Sequence, residues 1–141
     1  MHVRVGYATG FGATPEVPFY ERFFMGGTDT VRGYNERDIG PLNIYGVPYG
    51  GNVMALFNAE YKIPLVPNIL KWVFFYDSGD VWPGISEAVK EPFPYPDSAG
   101  TGFRVNIPGM VIVVRIDYGW GLREPMRIPG GKFHFNIGSL F

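Results

Sequence analysis

Asp77, Ser78 and His134 are the residue types of a hydrolytic triad, in which an acid orients a histidine that takes the proton of a serine nucleophile. Their setting argues against that chemistry. The serine lies in Phe74-Phe75-Tyr76-Asp77-Ser78-Gly79-Asp80, with no Gly-x-Ser-x-Gly elbow to expose it. In an extended segment Asp77 and Ser78 point to opposite faces, so they do not converge on one histidine. Asp77 and Asp80 offer oxygen ligands for calcium, but no stretch carries the ligand pattern of a calcium loop. With 2 histidines and no cysteine there is no zinc site. Gly100-Thr101-Gly102 lacks the Lys-Ser/Thr that follows a phosphate-binding glycine loop. The expectation is a non-enzyme with no cofactor and no metal.

Composition narrows the partners. Lys plus Arg is 12 and Asp plus Glu is 13, a net charge of −1, which disfavours nucleic acid as a ligand. The chain holds 20 Gly, 12 Phe, 9 Tyr and 3 Trp in 141 residues, and 46% of it is hydrophobic, so disorder is not expected. No apolar run approaches the roughly 18 residues of a membrane-spanning helix, and the N-terminus shows no signal-peptide pattern.

The elements that carry these residues show period-2 alternation, the signature of strands. The apolar sets are Val3, Val5, Tyr7 and Phe11; then Val53 through Leu65 at every second position; then Leu70, Trp72, Phe74 and Tyr76. They continue with Ala99, Thr101, Phe103, Val105 and Ile107; Met110 through Trp120 at every second position; and Phe133, Phe135, Ile137 and Phe141. The opposite face of each run mixes charge, amide and glycine: Arg4, Asn58, Glu60, Lys62, Asp77, Arg104, Arg115, Asp117, His134 and Asn136. A sheet apolar on one side, with charges beside glycine on the other, fits a transmembrane barrel facing lipid outside and water inside. Tyr7, Tyr61, Trp120 and Phe141 stand near strand ends, where interfacial aromatics belong. Connections alternate long and short, as in outer-membrane barrels, and none of them suggests a helix of useful length.

Six strands are too few for a single-chain barrel, which starts at about eight. An open sheet would leave two unpaired edges in lipid. Three solutions stand open. The chain is part of a larger barrel; or several copies close one together by self-association; or Phe19–Met25 and Asn43–Tyr49 supply two more strands and make a barrel of eight.

Between the first two strands lies Pro18-Phe19-Tyr20-Glu21-Arg22-Phe23-Phe24-Met25-Gly26-Gly27, then Thr30-Val31-Arg32-Gly33-Tyr34 and Ile39-Gly40-Pro41. This resembles the sixth extracellular loop of the BamA-type outer-membrane assembly factors, the bacterial surface antigen family. Gly50-Gly51-Asn52 before the strand with Glu60, Phe74-Phe75-Tyr76-Asp77-Ser78-Gly79-Asp80-Val81-Trp82, and the ending Phe133-His134-Phe135-Asn136-Ile137-Gly138 resemble later family strands in family order. The resemblance covers essentially the whole chain.

It implies an all-β fold: residues 1–141 as the last six strands of a sixteen-stranded antiparallel barrel, with a long motif-bearing loop over 12–50. It implies an outer-membrane location in a Gram-negative-type bacterium, contact with the lipid bilayer, and unfolded outer-membrane proteins as clients of the full-length protein. In the family the motif loop folds into the lumen, so the motif Val31, Arg32, Gly33 and Tyr34 is expected there, with Arg32 against Glu60 and Asp77. Alternation independently assigns both carboxylates to the inner face. The last strand, with Phe133, Phe135, Ile137, Gly138 and Phe141, resembles both an insertion signal and the weakly closed seam strand of the family. Secretion of an extended polypeptide, or service as a small passive pore or adhesin, are the alternative functions.

Overall fold

The computed structural model describes residues 1–9, 17–90, 96–123 and 130–139. Phe11 and Phe141, which alternation assigns to the first and last strands, lie outside the described residues. The strands are β1 (His2–Tyr7), β2 (Val53–Val66), β3 (Leu70–Trp82), β4 (Asp97–Asn106), β5 (Ile112–Gly121) and β6 (Lys132–Ser139). They form one antiparallel sheet in chain order, β1 to β6, with β1 and β6 at its ends. Met110 and Ile107 fall just outside the strands, in the turn that joins β4 to β5.

Register carries the inner face across the sheet. Asn58 lies opposite Asp77, and Asp77 opposite Ser98. Arg104 lies opposite Arg115, and Asp117 opposite His134. The other face is apolar and open: Val3, Val5, Phe133, Phe135 and Ile137 are all exposed. A soluble sheet would cover such a face, whereas lipid stabilises it. The polar atoms on this face bond locally. Trp72 Nε1–H donates to Thr101 Oγ1 at 2.7 Å, and that hydroxyl donates to the Val73 carbonyl at 3.1 Å. Such pairing is what hydrocarbon demands of any polar group.

The core lies between the loop and the inner wall. Met25, Val31, Tyr34 and Ile39 of the loop pack with Met54 and Leu56 of β2 and Val81 of β3. These inward apolar residues of β2 and β3 break the polar inner pattern because the loop, not water, covers them.

One expectation is corrected. Phe19–Met25 and Asn43–Tyr49 do not add strands, so an eight-stranded barrel is not formed. Phe19–Glu21 is a 3-10 turn, and among the described residues the loop makes only the isolated bridges Phe23–Gly51, Met25–Ile39 and Leu42–Pro48. Its prolines and positive-φ glycines do not sustain a ladder. The connection from β3 to β4 contains a short helix, α1 (Ile85–Lys90), too brief to count against the expectation of no helix of useful length. Glu87 in its first turn and Lys90 in its last suit the helix dipole.

Candidate functional site

The motif is presented by a tight turn. The Gly27 N–H donates to the Val31 carbonyl at 3.1 Å, and the Gly26 N–H to Thr30 Oγ1 at 2.9 Å. The bridge between Met25 and Ile39 closes the segment behind it. Val31 and Tyr34 are fully buried and anchor the turn in the core, which leaves Arg32 to extend along the wall.

Arg32 is 4% exposed and Asp77 is 0% exposed. The guanidinium holds this carboxylate with both arms of its fork: Nε donates to Oδ2 at 2.7 Å and Nη2 to Oδ1 at 2.8 Å. The Arg32 backbone N–H adds a third bond to Oδ2 at 3.2 Å. Nη1 donates to Glu60 Oε1 at 2.7 Å and lies 3.5 Å from Asp117 Oδ2. The planar fork matches the carboxylate geometry, which a lysine does not. Burial alone would lower the guanidinium's pKa, but the bonds to Asp77 and Glu60 outweigh it and raise it. Arg32 therefore stays charged at any ordinary pH.

The ion pairs continue beyond Arg32. Arg104 bridges Asp117 at 2.6 Å and Glu60 at 3.0 Å, and Lys62 reaches Glu60 at 3.0 Å. Arg32, Arg104 and Lys62 are thus matched against Glu60, Asp77 and Asp117. Asn58 Nδ2 donates to Asp77 Oδ1 and to the Thr30 carbonyl, each at 2.8 Å, joining wall and loop through one amide. The Arg32 guanidinium lies 3.6 Å over the Phe75 ring, a contact that favours a cation shielded from water.

The rest of the motif docks on β5. Gly33 has φ of 88°, a conformation side chains avoid. Its backbone sits so close to the wall that a Cβ there would be 2.9 Å from the Gly121 nitrogen. A Cβ on Gly119 would in turn be 2.8 Å from the Gly33 nitrogen. The Tyr34 hydroxyl donates to the Asp97 carbonyl at 2.9 Å and accepts from the Arg123 N–H at 3.4 Å. Burial raises its pKa, so it remains a donor.

The structure thus brings Arg32, Glu60 and Asp77 together and places Gly33 and Tyr34 against β4 and β5. Sequence reasoning gave no individual role to Phe75, Asn58, Arg104, Asp117, Gly119 or Gly121. Their signal was there: all lie on the inner face by alternation, and Gly119 and Gly121 leave that face bare where a backbone must approach. Gly100 and Gly102 make room for the neighbouring β5 backbone at Tyr118 and Ile116, and for the Phe75 ring and the Asp117 carboxylate. Ser78 lies on the outer face beside Val3, Val5 and Phe57, opposite in direction to Asp77. Phe133, Phe135 and Ile137 project outward from β6. Gly138 lies on the inner side, where an added Cβ would meet only Asn136 Oδ1, at 3.5 Å, so packing alone does not require glycine there.

Residues 1–141 match the family model of the Omp85 superfamily domain. The chain is 38% identical over 114 residues to the outer membrane protein assembly factor BamA of Neisseria meningitidis serogroup B strain MC58, covering 74% of this chain and 14% of that protein. It is 35% identical over 134 residues to the outer membrane protein assembly factor BamA of Nitratidesulfovibrio vulgaris strain Hildenborough, covering 89% of this chain and 16% of that protein. The chain therefore spans 14% and 16% of the lengths of these relatives.

Proposed function

This chain belongs to the Omp85 superfamily, whose members are outer-membrane β-barrels of Gram-negative bacteria, and we propose that residues 1–141 are the C-terminal strands of an assembly factor that helps other outer-membrane proteins fold and insert. Its partners are then the lipid bilayer and unfolded outer-membrane proteins. The work is binding and templating, not catalysis. In this reading the strands that complete the barrel beyond β1 and β6 come from the same longer polypeptide, and self-association is not needed.

The single observation that carries the reading is the docked motif. The loop is fixed to the inner wall by the bidentate Arg32–Asp77 pair and the Glu60 bond, while the last strand keeps an apolar outer face of Phe133, Phe135 and Ile137. A fixed lumen beside a last strand that closes only a weak seam suits a machine that receives strands at its wall. An exposed backbone edge recruits an extended segment by strand addition, and Gly138 weakens the ladder near the end of β6.

The test uses the full-length protein in liposomes supplied with an unfolded outer-membrane barrel. Faster insertion of that client than into protein-free liposomes is the expected result. Passage of a secreted polypeptide without faster insertion would assign the transporter function instead. Ion conductance alone would assign a passive pore.

A further inference from the structure

The motif loop also touches the last strand, through the side chains of His134 and Lys132. The Gly33 N–H points at His134 Nε2 on β6, 2.9 Å away and buried. The other ring nitrogen, Nδ1, lies 3.3 Å from Thr28 Oγ1, also on the loop. A backbone N–H only donates, so Nε2 must present its lone pair. The imidazole is therefore neutral, with its proton on Nδ1 facing the Thr28 hydroxyl. One ring thus takes a bond from the loop at one nitrogen and gives one at the other. Lys132 Nζ adds a third tie to Asn35 Oδ1 at 2.6 Å.

Among the described residues β6 pairs with β5 and with no other strand. The contacts of its inner face with the loop are therefore a second hold on its position, besides the ladder to β5. We propose that His134 is a positioning residue that fastens the motif loop to β6, and that the fastening holds only while the imidazole is neutral. A protonated ring donates at both nitrogens and cannot accept the Gly33 N–H. The charged groups that face the ring are Lys132 of β6, Glu36 and Arg32 of the loop, and Asp117 of β5, two cations and two carboxylates.

Hydrogen exchange in the full-length protein, reconstituted in lipid nanodiscs, tests this at about pH 8 and about pH 5, either side of the ordinary histidine pKa. His134→Leu keeps bulk but offers no acceptor. At the higher pH it should speed exchange of the Gly33 amide and of the β6 amides bonded to β5 by about tenfold, the scale of one lost buried hydrogen bond. His134→Gln offers an amide oxygen at similar reach and should restore protection. After correction for intrinsic rates, the unaltered protein should lose protection at the lower pH and His134→Gln should not. Equal exchange in the folded leucine variant and the unaltered protein would overturn the proposal. So would a pH effect of the same size in the glutamine variant, a comparison that serves even if the leucine variant does not fold. These readouts do not depend on client insertion, so they stand apart from the test of the assembly function.

Discussion

Gly33 and Gly119 meet backbone to backbone. A Cβ on either would fall within 3 Å of main-chain atoms of the other segment. The motif turn of the loop and the middle of β5 are therefore in direct contact over a surface with no side chains, which leaves nothing to rotate away.

Gly119→Ala should consequently push the turn off the wall. The expected cost is about 1–3 kcal/mol, the range for backbone forced from its preferred place. Thermal unfolding of the full-length protein in detergent measures it. A midpoint equal to that of the unaltered protein would mean the contact yields freely.

Arg32→Ala should release the loop. It leaves Asp77 buried without its fork and removes one partner of Glu60 and Asp117, and an unpaired buried charge costs about 3–5 kcal/mol. Residues 17–50 should become accessible to protease in detergent, and Arg32→Lys should rescue only partly because it lacks the planar fork. Unchanged protection would count against the pairing as the loop's anchor.

Phe75→Leu keeps an apolar side chain but removes the ring beneath the guanidinium. Loss of about 0.5–2 kcal/mol is expected, the range for a cation over an aromatic face. If the contact is cooperative with the ion pairs, the loss should shrink in an Arg32→Ala background. A double-mutant cycle on denaturation midpoints reads this, and strict additivity would deny any coupling.

Tyr34→Phe deletes only the hydroxyl between the Asp97 carbonyl and the Arg123 amide. The ring still fills its place, so the expected loss is about 1 kcal/mol without release of the loop. Protease protection should hold while the unfolding midpoint drops. Release of the loop would give the hydroxyl a larger part than its two bonds suggest.

Legibility in the sequence divides along physical lines. Strand faces were readable because alternation is local: Glu60, Asp77 and Asp117 sit inward by parity alone. The place of Arg32 was not readable that way, since a loop of prolines and glycines has no period, and its expected partners came only through family resemblance. Phe75 is an apolar residue on a polar face, and only the guanidinium of Arg32 lying over it accounts for its place. Met54, Leu56 and Val81 are of the same kind, because their inward burial depends on a loop distant in sequence. The helix Ile85–Lys90 escaped because so short a segment carries no hydrophobic period of its own. The absence of strands in Phe19–Met25 agrees with the weak alternation there.

The chain order of the sheet has a kinetic consequence. Every strand pairs with its neighbours in sequence, and four of those pairings, from β2 through β6, join segments separated by short or moderate connections, so the meander can grow by successive hairpins. The ties of the motif are of a different kind: Arg32 reaches Asp77 across 45 positions and Asp117 across 85, and Gly33 reaches His134 across 101. Bonds that close such long segments form late, because the entropy of closure precedes the reward. The loop therefore seats fully only after β6 has arrived. It acts as a keystone, set last, whose fit reports that every strand before it is in register.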